Sequence, residues 1–187
     1  MNESRKTFLG LALLALLGLV GLTGCDNVTA EPLRITSEQS EQGWSFATAD
    51  GVTAACPRTW TLETTNHRRR AWRCSHPQSG QGPGGCGLTV YGTGGASNLD
   101  ELADRMRPQI LDYSEESEVL SESRTTLGEQ PAHQFVVRQV INEVPVKGWY
   151  RLVQEERRSW LAHCILPEEH LEADEEVVGQ IFERISL

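Results

Sequence analysis

Two periodicities divide the chain. From Trp44 onward, short stretches in which apolar and polar residues alternate predict strands, and two longer stretches with apolar residues every third or fourth position predict helices. Trp44 and Phe46 alternate with Ser45, Asp50-Gly51 is a hairpin-turn dipeptide, and residues 52–56 return from it. Residues 59–64 alternate around Trp60 and Leu62 as a further strand. Residues 71–76 put Trp72 and Cys74 on one face, and after the Gly-rich stretch "PQSGQGPGG" the side chains of Cys86, Leu88 and Val90 share a face, which predicts a second hairpin.

Ser97-Asn-Leu-Asp100 reads as a capping box, and Leu99, Leu102, Ala103, Met106 and Ile110 then recur on one side of a helix. Pro108 lacks the amide proton that a helix interior needs, so a kink or an early stop is expected there. Residues 119–126, 132–141, 147–154 and 160–166 are β-rich and separated by turn-length polar breaks, the layout of an antiparallel meander. Leu171, Val177, Val178, Ile181, Phe182 and Ile185 predict a closing helix that covers one face of the sheet. The order of elements predicts an α+β fold, an antiparallel β-sheet flanked by helices.

The first 43 residues follow neither pattern. Arg5 and Lys6 precede an apolar run over residues 8–20 that ends in small residues, the layout of a secretory signal peptide. The run is shorter than the roughly 20 apolar residues that a membrane span needs. Leu22-Thr23-Gly24-Cys25 resembles a bacterial lipobox, which implies that residues 1–24 are removed and that Cys25 is acylated, for example with palmitate, as the first residue of the mature chain. Asp26 after the lipidated Cys resembles a signal for retention at the inner membrane in organisms with two membranes. Residues 25–43, rich in Ser, Glu, Gln and Thr, read as a flexible tether with a reach of about 23 Å. Residues 44–187 then form a single domain.

Loss of residues 1–24 removes Arg5, Lys6 and Glu3, which moves the formal net charge from −9 to −10. So acidic a domain excludes nucleic-acid binding through a basic face and adhesion to anionic lipid. The membrane is then met through the lipid anchor only, and the expected partner is another protein of the cell envelope or periplasm. Against this background His67-Arg68-Arg69-Arg70 with Arg73 is an isolated basic cluster, suited to carboxylate or phosphate contacts on an acidic partner. The plainer reading is a solvated turn with surface pairs worth about 0 to 1 kcal/mol each.

Cys56, Cys74, Cys86 and Cys164 are an even set in an exported chain, so disulfides are the default. The shared faces favour Cys74 with Cys86, which leaves Cys56 for Cys164; Cys56 with Cys74 and Cys56 with Cys86 are the alternatives. Cys74, His76 and Cys86 are also candidate zinc ligands, without the paired spacing that zinc sites carry. Glu168, Glu169, His170, Glu172, Asp174, Glu175 and Glu176 lack the regular spacing of a calcium loop and suit an exposed helix start. His163 beside Cys164, with His133 on another strand, is the one catalytic constellation to weigh. Adjacent strand residues face opposite ways, and no nucleophile elbow, metalloprotease motif or phosphate loop accompanies them. The expectation is a protein that is not an enzyme and needs no cofactor or metal.

Three short stretches carry a family resemblance. Cys56-Pro57-Arg-Thr-Trp60 after the first hairpin, Thr126-Leu127-Gly128-Glu-Gln-Pro131-Ala132 entering a strand, and Ile181-Phe182-Glu-Arg-Ile185 at the end resemble the PsbP-like domain, including its bacterial LpqN-type lipoprotein relatives. Where that family carries an aromatic residue before the early Pro, this chain has Cys56. The resemblance implies an α/β/α sandwich used as a docking or assembly-accessory module. The alternative is a carrier of a small ligand in an apolar pocket between helix and sheet.

Overall fold

The computed structural model describes residues 43–49, 51–63, 70–79, 83–92, 95–114, 116–156 and 158–187. The expected leader, Cys25, the tether as far as residue 42, and Arg68 and Arg69 lie outside them. The strands are β1 (Trp44–Ala49), β2 (Val52–Pro57), β3 (Thr61–Glu63), β4 (Arg70–Ser75), β5 (Gly85–Gly92), β6 (Ser117–Leu127), β7 (Gln130–Ile141), β8 (Val144–Gln154) and β9 (Arg158–Pro167). Helix α1 (Leu99–Leu111) lies between β5 and β6, and α2 (Leu171–Glu183) follows β9 after one 3-10 turn.

β1 and β2 form a hairpin of their own, while the other strands make a seven-stranded sheet in the order β3-β4-β5-β9-β8-β7-β6. Every pairing is antiparallel. The meander from β6 to β9 is the one expected from the sequence. The insertion of β5 against β9 joins it to the second hairpin, and no local pattern announces that long-range pairing.

One face of the sheet is buried by the β1–β2 hairpin and α2, where all five tryptophans gather in a single cluster with Leu88, Leu166, Ile181 and Phe182. Aromatic side chains bury about 150–250 Å² each, so this layer dominates the hydrophobic stabilisation. The chain end is tied in as well: Thr53 and Ser186 exchange two backbone hydrogen bonds of 2.8 Å. The opposite face carries α1, whose Leu102, Ala103, Met106 and Ile110 pack on Phe135, Val137, Tyr150, Leu152 and Leu161. This is the expected α+β sandwich.

Two local expectations shift. The N-cap of α1 is Asn98, whose Oδ1 accepts the Glu101 backbone N–H, while Glu101 Oε2 accepts from the Ser97 backbone N–H and hydroxyl. The box is one residue out of the expected frame because Asn is as good a cap as Ser. Pro108 lies within the helix, which runs on to Leu111. Its missing donor removes only one bond close to the end, where the helix is about to stop.

The disulfide map is corrected. Cys56 joins Cys74 and Cys86 joins Cys164, so neither Cys74–Cys86 nor Cys56–Cys164 forms. Cys74 stands opposite Cys86, but Cys86 stands opposite Cys164 too. Cys56 decides between them. Its strand β2 packs over β3 and β4, which sets its Cα 5.7 Å from that of Cys74. With Cys74 taken by Cys56, Cys86 is left to Cys164, directly opposite it on β9.

Gly128, in the turn between β6 and β7, has φ +56°, and a Cβ there would lie 2.1 Å from the Ile185 carbonyl oxygen. Left-handed backbone costs a residue with a Cβ about 1–2 kcal/mol before any clash. Gly128→Ala is therefore expected to destabilise the domain by about 2–4 kcal/mol in urea unfolding; a change under about 0.5 kcal/mol would contradict this packing.

Candidate functional site

Strand alternation gives β5 two unlike faces. Cys86, Leu88 and Val90 enter the tryptophan-lined core, and Gly85, Gly87, Thr89 and Tyr91 take the other side. The register sets Arg73, Gly87, His163, Tyr150, Phe135 and Glu122 in one row across the sheet. Helix α1 covers the β7 and β8 end of that row. At the β4, β5 and β9 end lies an open groove of about 240 Å³, lined by Arg73, Gly85, Gly87, Ile141, His163 and Ile165 among others.

The groove is shaped by the glycines. A Cβ on Gly87 would lie 2.8 Å from His163 Cε1, so the imidazole rests on the bare backbone of β5. Gly148 does the same for the Tyr150 ring, since a Cβ there would lie 2.6 Å from its Cε2. The two rings stack with centroids 6.3 Å apart. Tyr150 Oη donates to Gln139 Oε1 at 2.8 Å, and Gln139 Nε2 donates to the Ile110 carbonyl at 2.8 Å. Burial pushes the Tyr150 phenol well above its ordinary value, so it stays a donor. One wall of the groove is therefore braced through the core to α1.

Arg73 is exposed at the other wall. Glu63 stands opposite it on β3, yet Arg73 makes no ion pair among the described residues. By contrast Arg105, Arg107, Arg124, Arg138 and Arg158 each meet a carboxylate. Of the rest of the basic cluster, Arg70 begins β4 opposite Thr89, and Arg68 and Arg69 fall outside the described residues. The described end of the cluster thus sits at the groove. His163 was singled out in the sequence for a different reason, and Gly85, Gly87, Ile141 and Ile165 were missed. The signal for the glycines was present, because they alternate with Cys86 and Leu88 on the face the strand pattern leaves unassigned.

The catalytic and metal readings do not assemble. Cys164 is in a disulfide on the opposite face of β9 from His163, so no thiol faces the imidazole. Cys74 and Cys86 are likewise in disulfides. His76 Nε2 lies 3.0 Å from Asp174 Oδ2, and its Nδ1 accepts the Gln78 N–H. The acidic C-terminal residues disperse into separate pairs, Glu168 with Arg138, Glu175 with Lys147 and Asp174 with His76. Among the described residues no three His, Cys, Asp or Glu side chains are placed to share a metal ion.

His133 belongs to a latch between α1 and the sheet. Its Nε2 is 2.7 Å from Glu122 Oε1, and Arg107 Nη2 donates to both Glu122 oxygens at 2.6 and 2.7 Å. Burial pushes the Glu122 carboxyl up, but the Arg107 and His133 hydrogen bonds outweigh it and hold the group below the ordinary carboxylate range. Hydrogen bonds from Ser97, then Arg105, bring Glu101 down from 4.5 to about 2. Both folded-state values are depressed, so the stabilisation is present above the ordinary value and lost as pH falls through the lowered one. Carboxyl-carbon NMR should find Glu101 still ionised at pH 3 and shifted upward in Ser97→Ala. A midpoint near 4.5 in the parent protein would contradict the cap.

The helix–sheet interface expected for a carrier is filled by side chains: Ile110, Phe135, Tyr150, Leu152 and Leu161 are at most 3% exposed. A second depression, of about 340 Å³ between Asn98, Leu99, Pro131 and Glu155, lies open on the surface. The two disulfides are of the kind that persist in oxidising compartments. Among the described residues no helix is long and apolar enough to cross a membrane.

The sequence matches no family model and no curated protein. Solved structures do share the architecture. Cyanobacterial PsbP (CyanoP) from Synechocystis superposes with a TM-score of 0.56 at 8% identity, over 91% of this chain and 99% of that one. LpqN of Mycobacterium tuberculosis gives 0.55 at 14% identity, over 72% of this chain and 82% of its own. A Pseudomonas aeruginosa protein, PA94, gives 0.51 at 5% identity, over 78% and 98%. At such identities the likeness concerns architecture, and it establishes a PsbP-like α+β fold for the described residues.

Proposed function

We propose that this chain is an extracytoplasmic lipoprotein, tethered through Cys25, whose domain docks another envelope protein without performing chemistry on it. The observation that carries the reading is Arg73: an exposed guanidinium with no ion pair among the described residues, at the rim of an open groove, in a chain of net charge −9. Arginine presents a planar fork of donors that matches a carboxylate, and an unpaired one on an acidic surface has its electrostatic complement elsewhere. The filled helix–sheet interface favours docking over carriage of a ligand. The shared fold with LpqN, whose structure was described as that of a protein involved in cell envelope biogenesis, is in keeping with this role.

Chemical crosslinking in intact cells of the native host tests it. The parent protein is expected to yield a discrete crosslinked species that is lost in Arg73→Glu and retained in Arg138→Glu, the same charge change on the face of β7 opposite the groove residue Ile141. Equal yields from all three would remove the groove from the docking surface.

A further inference from the structure

Resting on the docking reading, we infer that the groove holds a single apolar side chain of an extended partner segment whose neighbouring residues are acidic. Its volume of about 240 Å³ is below the roughly 300–1,000 Å³ of sites that enclose small molecules, but it suits one large side chain. Ile141 and Ile165 give it apolar flanks, and the bare backbone of Gly85 and Gly87 lets a side chain lie close to the sheet. Arg73 at the rim supplies the charge that selects acids beside the anchor. A deep anchor ringed by weaker polar contacts is the usual distribution of energy in an interface.

Main-chain recognition is closed here. β5 is hydrogen-bonded to β4 on one side and β9 on the other, so the partner cannot add a strand and must be read through its side chains. The glycines are also tied to the fold: Gly85 has φ +143°, and a Cβ there would lie 2.4 Å from the Cys74 carbonyl oxygen. Backbone demands alone would explain Gly85. They do not explain an arginine without an ion pair among the described residues, beside two isoleucines that line the same groove.

The test uses the mature lipidated protein in nanodiscs of neutral lipid, titrated with fluorescent nonapeptides bearing a central Leu between Asp residues. Companion peptides carry Gly in place of Leu, or Lys in place of Asp. The Leu peptide with Asp flanks is expected to bind, to lose at least tenfold in affinity in Arg73→Glu and about threefold in Ile141→Ser, and to outcompete both companions. Arg73 is exposed and Ile141 half-buried, so both variants should fold, which unchanged urea unfolding would verify. Binding that ignores Arg73→Glu, equal binding of the Gly peptide, no binding, or stronger association with nanodiscs of anionic lipid than with peptide would each overturn the inference. If the peptides fail while the cellular crosslink still depends on Arg73, the anchor is wrong and docking stands. If the peptides bind and no crosslink depends on Arg73, docking of an envelope protein is the part that fails.

Discussion

Cells carrying Cys25→Ala are expected to lose fatty-acid labelling of this protein completely and to shift it out of the mature membrane-bound pool. The lipobox-like Leu22-Thr23-Gly24-Cys25 offers one acylation point, the cysteine thiol with the amine freed by cleavage. Buried acyl chains contribute about 0.8 kcal/mol per methylene, and one chain alone binds membranes only marginally, so stable attachment needs more than one. Without the thiol there is no chain to bury. The variant should therefore collect either as soluble protein or as uncleaved precursor held by the apolar run over residues 8–20, and the two are told apart by mass. Continued incorporation of a clickable palmitate analogue by Cys25→Ala would contradict the anchor.

The second large effect belongs to the disulfides. Bridge Cys86–Cys164 closes a sequence separation of 78 residues and Cys56–Cys74 one of 18. Chain-entropy estimates give about 3 kcal/mol for a loop of 15 residues and about 4.7 for 100, so the paired substitution Cys86→Ala with Cys164→Ala should cost about 4 kcal/mol or more. Cys56→Ala with Cys74→Ala should cost about 3. Both ends of the longer bridge lie in the middle of the sheet, where β5 meets the meander, so its loss also weakens the one long-range strand pairing that unites the two halves. Urea unfolding of the two double variants measures the difference. Peptide mapping without reduction should show Cys56 with Cys74 and Cys86 with Cys164; a Cys74–Cys86 peptide would contradict the structure.

The cysteines also show where sequence reasoning reached its end. Alternation correctly put Cys74 and Cys86 on one face of paired strands, because side-chain parity is a local property of each strand. Parity could not say that a third strand would bring Cys164 opposite Cys86 as well, nor that the first hairpin would fold over β4 with Cys56. Those are facts of topology and layer packing. In the same way Leu102, Ala103, Met106 and Ile110 announced the buried face of α1, and Ile181 with Phe182 that of α2, since both follow the helical repeat. The cap of α1 moved by one residue because Ser97 and Asn98 are chemically equivalent candidates.

The groove was legible only in fragments. Arg73 stood out by charge, and Gly85 and Gly87 occupy the face opposite Cys86 and Leu88, but Ile141 comes from the far end of β7 and His163 from β9. Residues so distant in the chain meet only once the order β4-β5-β9 is known. His163 illustrates the risk of reading neighbours in sequence as neighbours in space: its partner in the row is Tyr150, while Cys164 looks into the other core.

The claim that this domain docks through the groove is tested most directly by position. A photo-crosslinking amino acid replaces Ile141 at the groove or Glu172 on α2, which lies across the sheet, in full-length protein expressed in the native host. The account predicts one discrete crosslinked partner from position 141, lost when Arg73→Glu is added, and no such species from position 172. A partner captured equally from both positions, or from 172 alone, would contradict it.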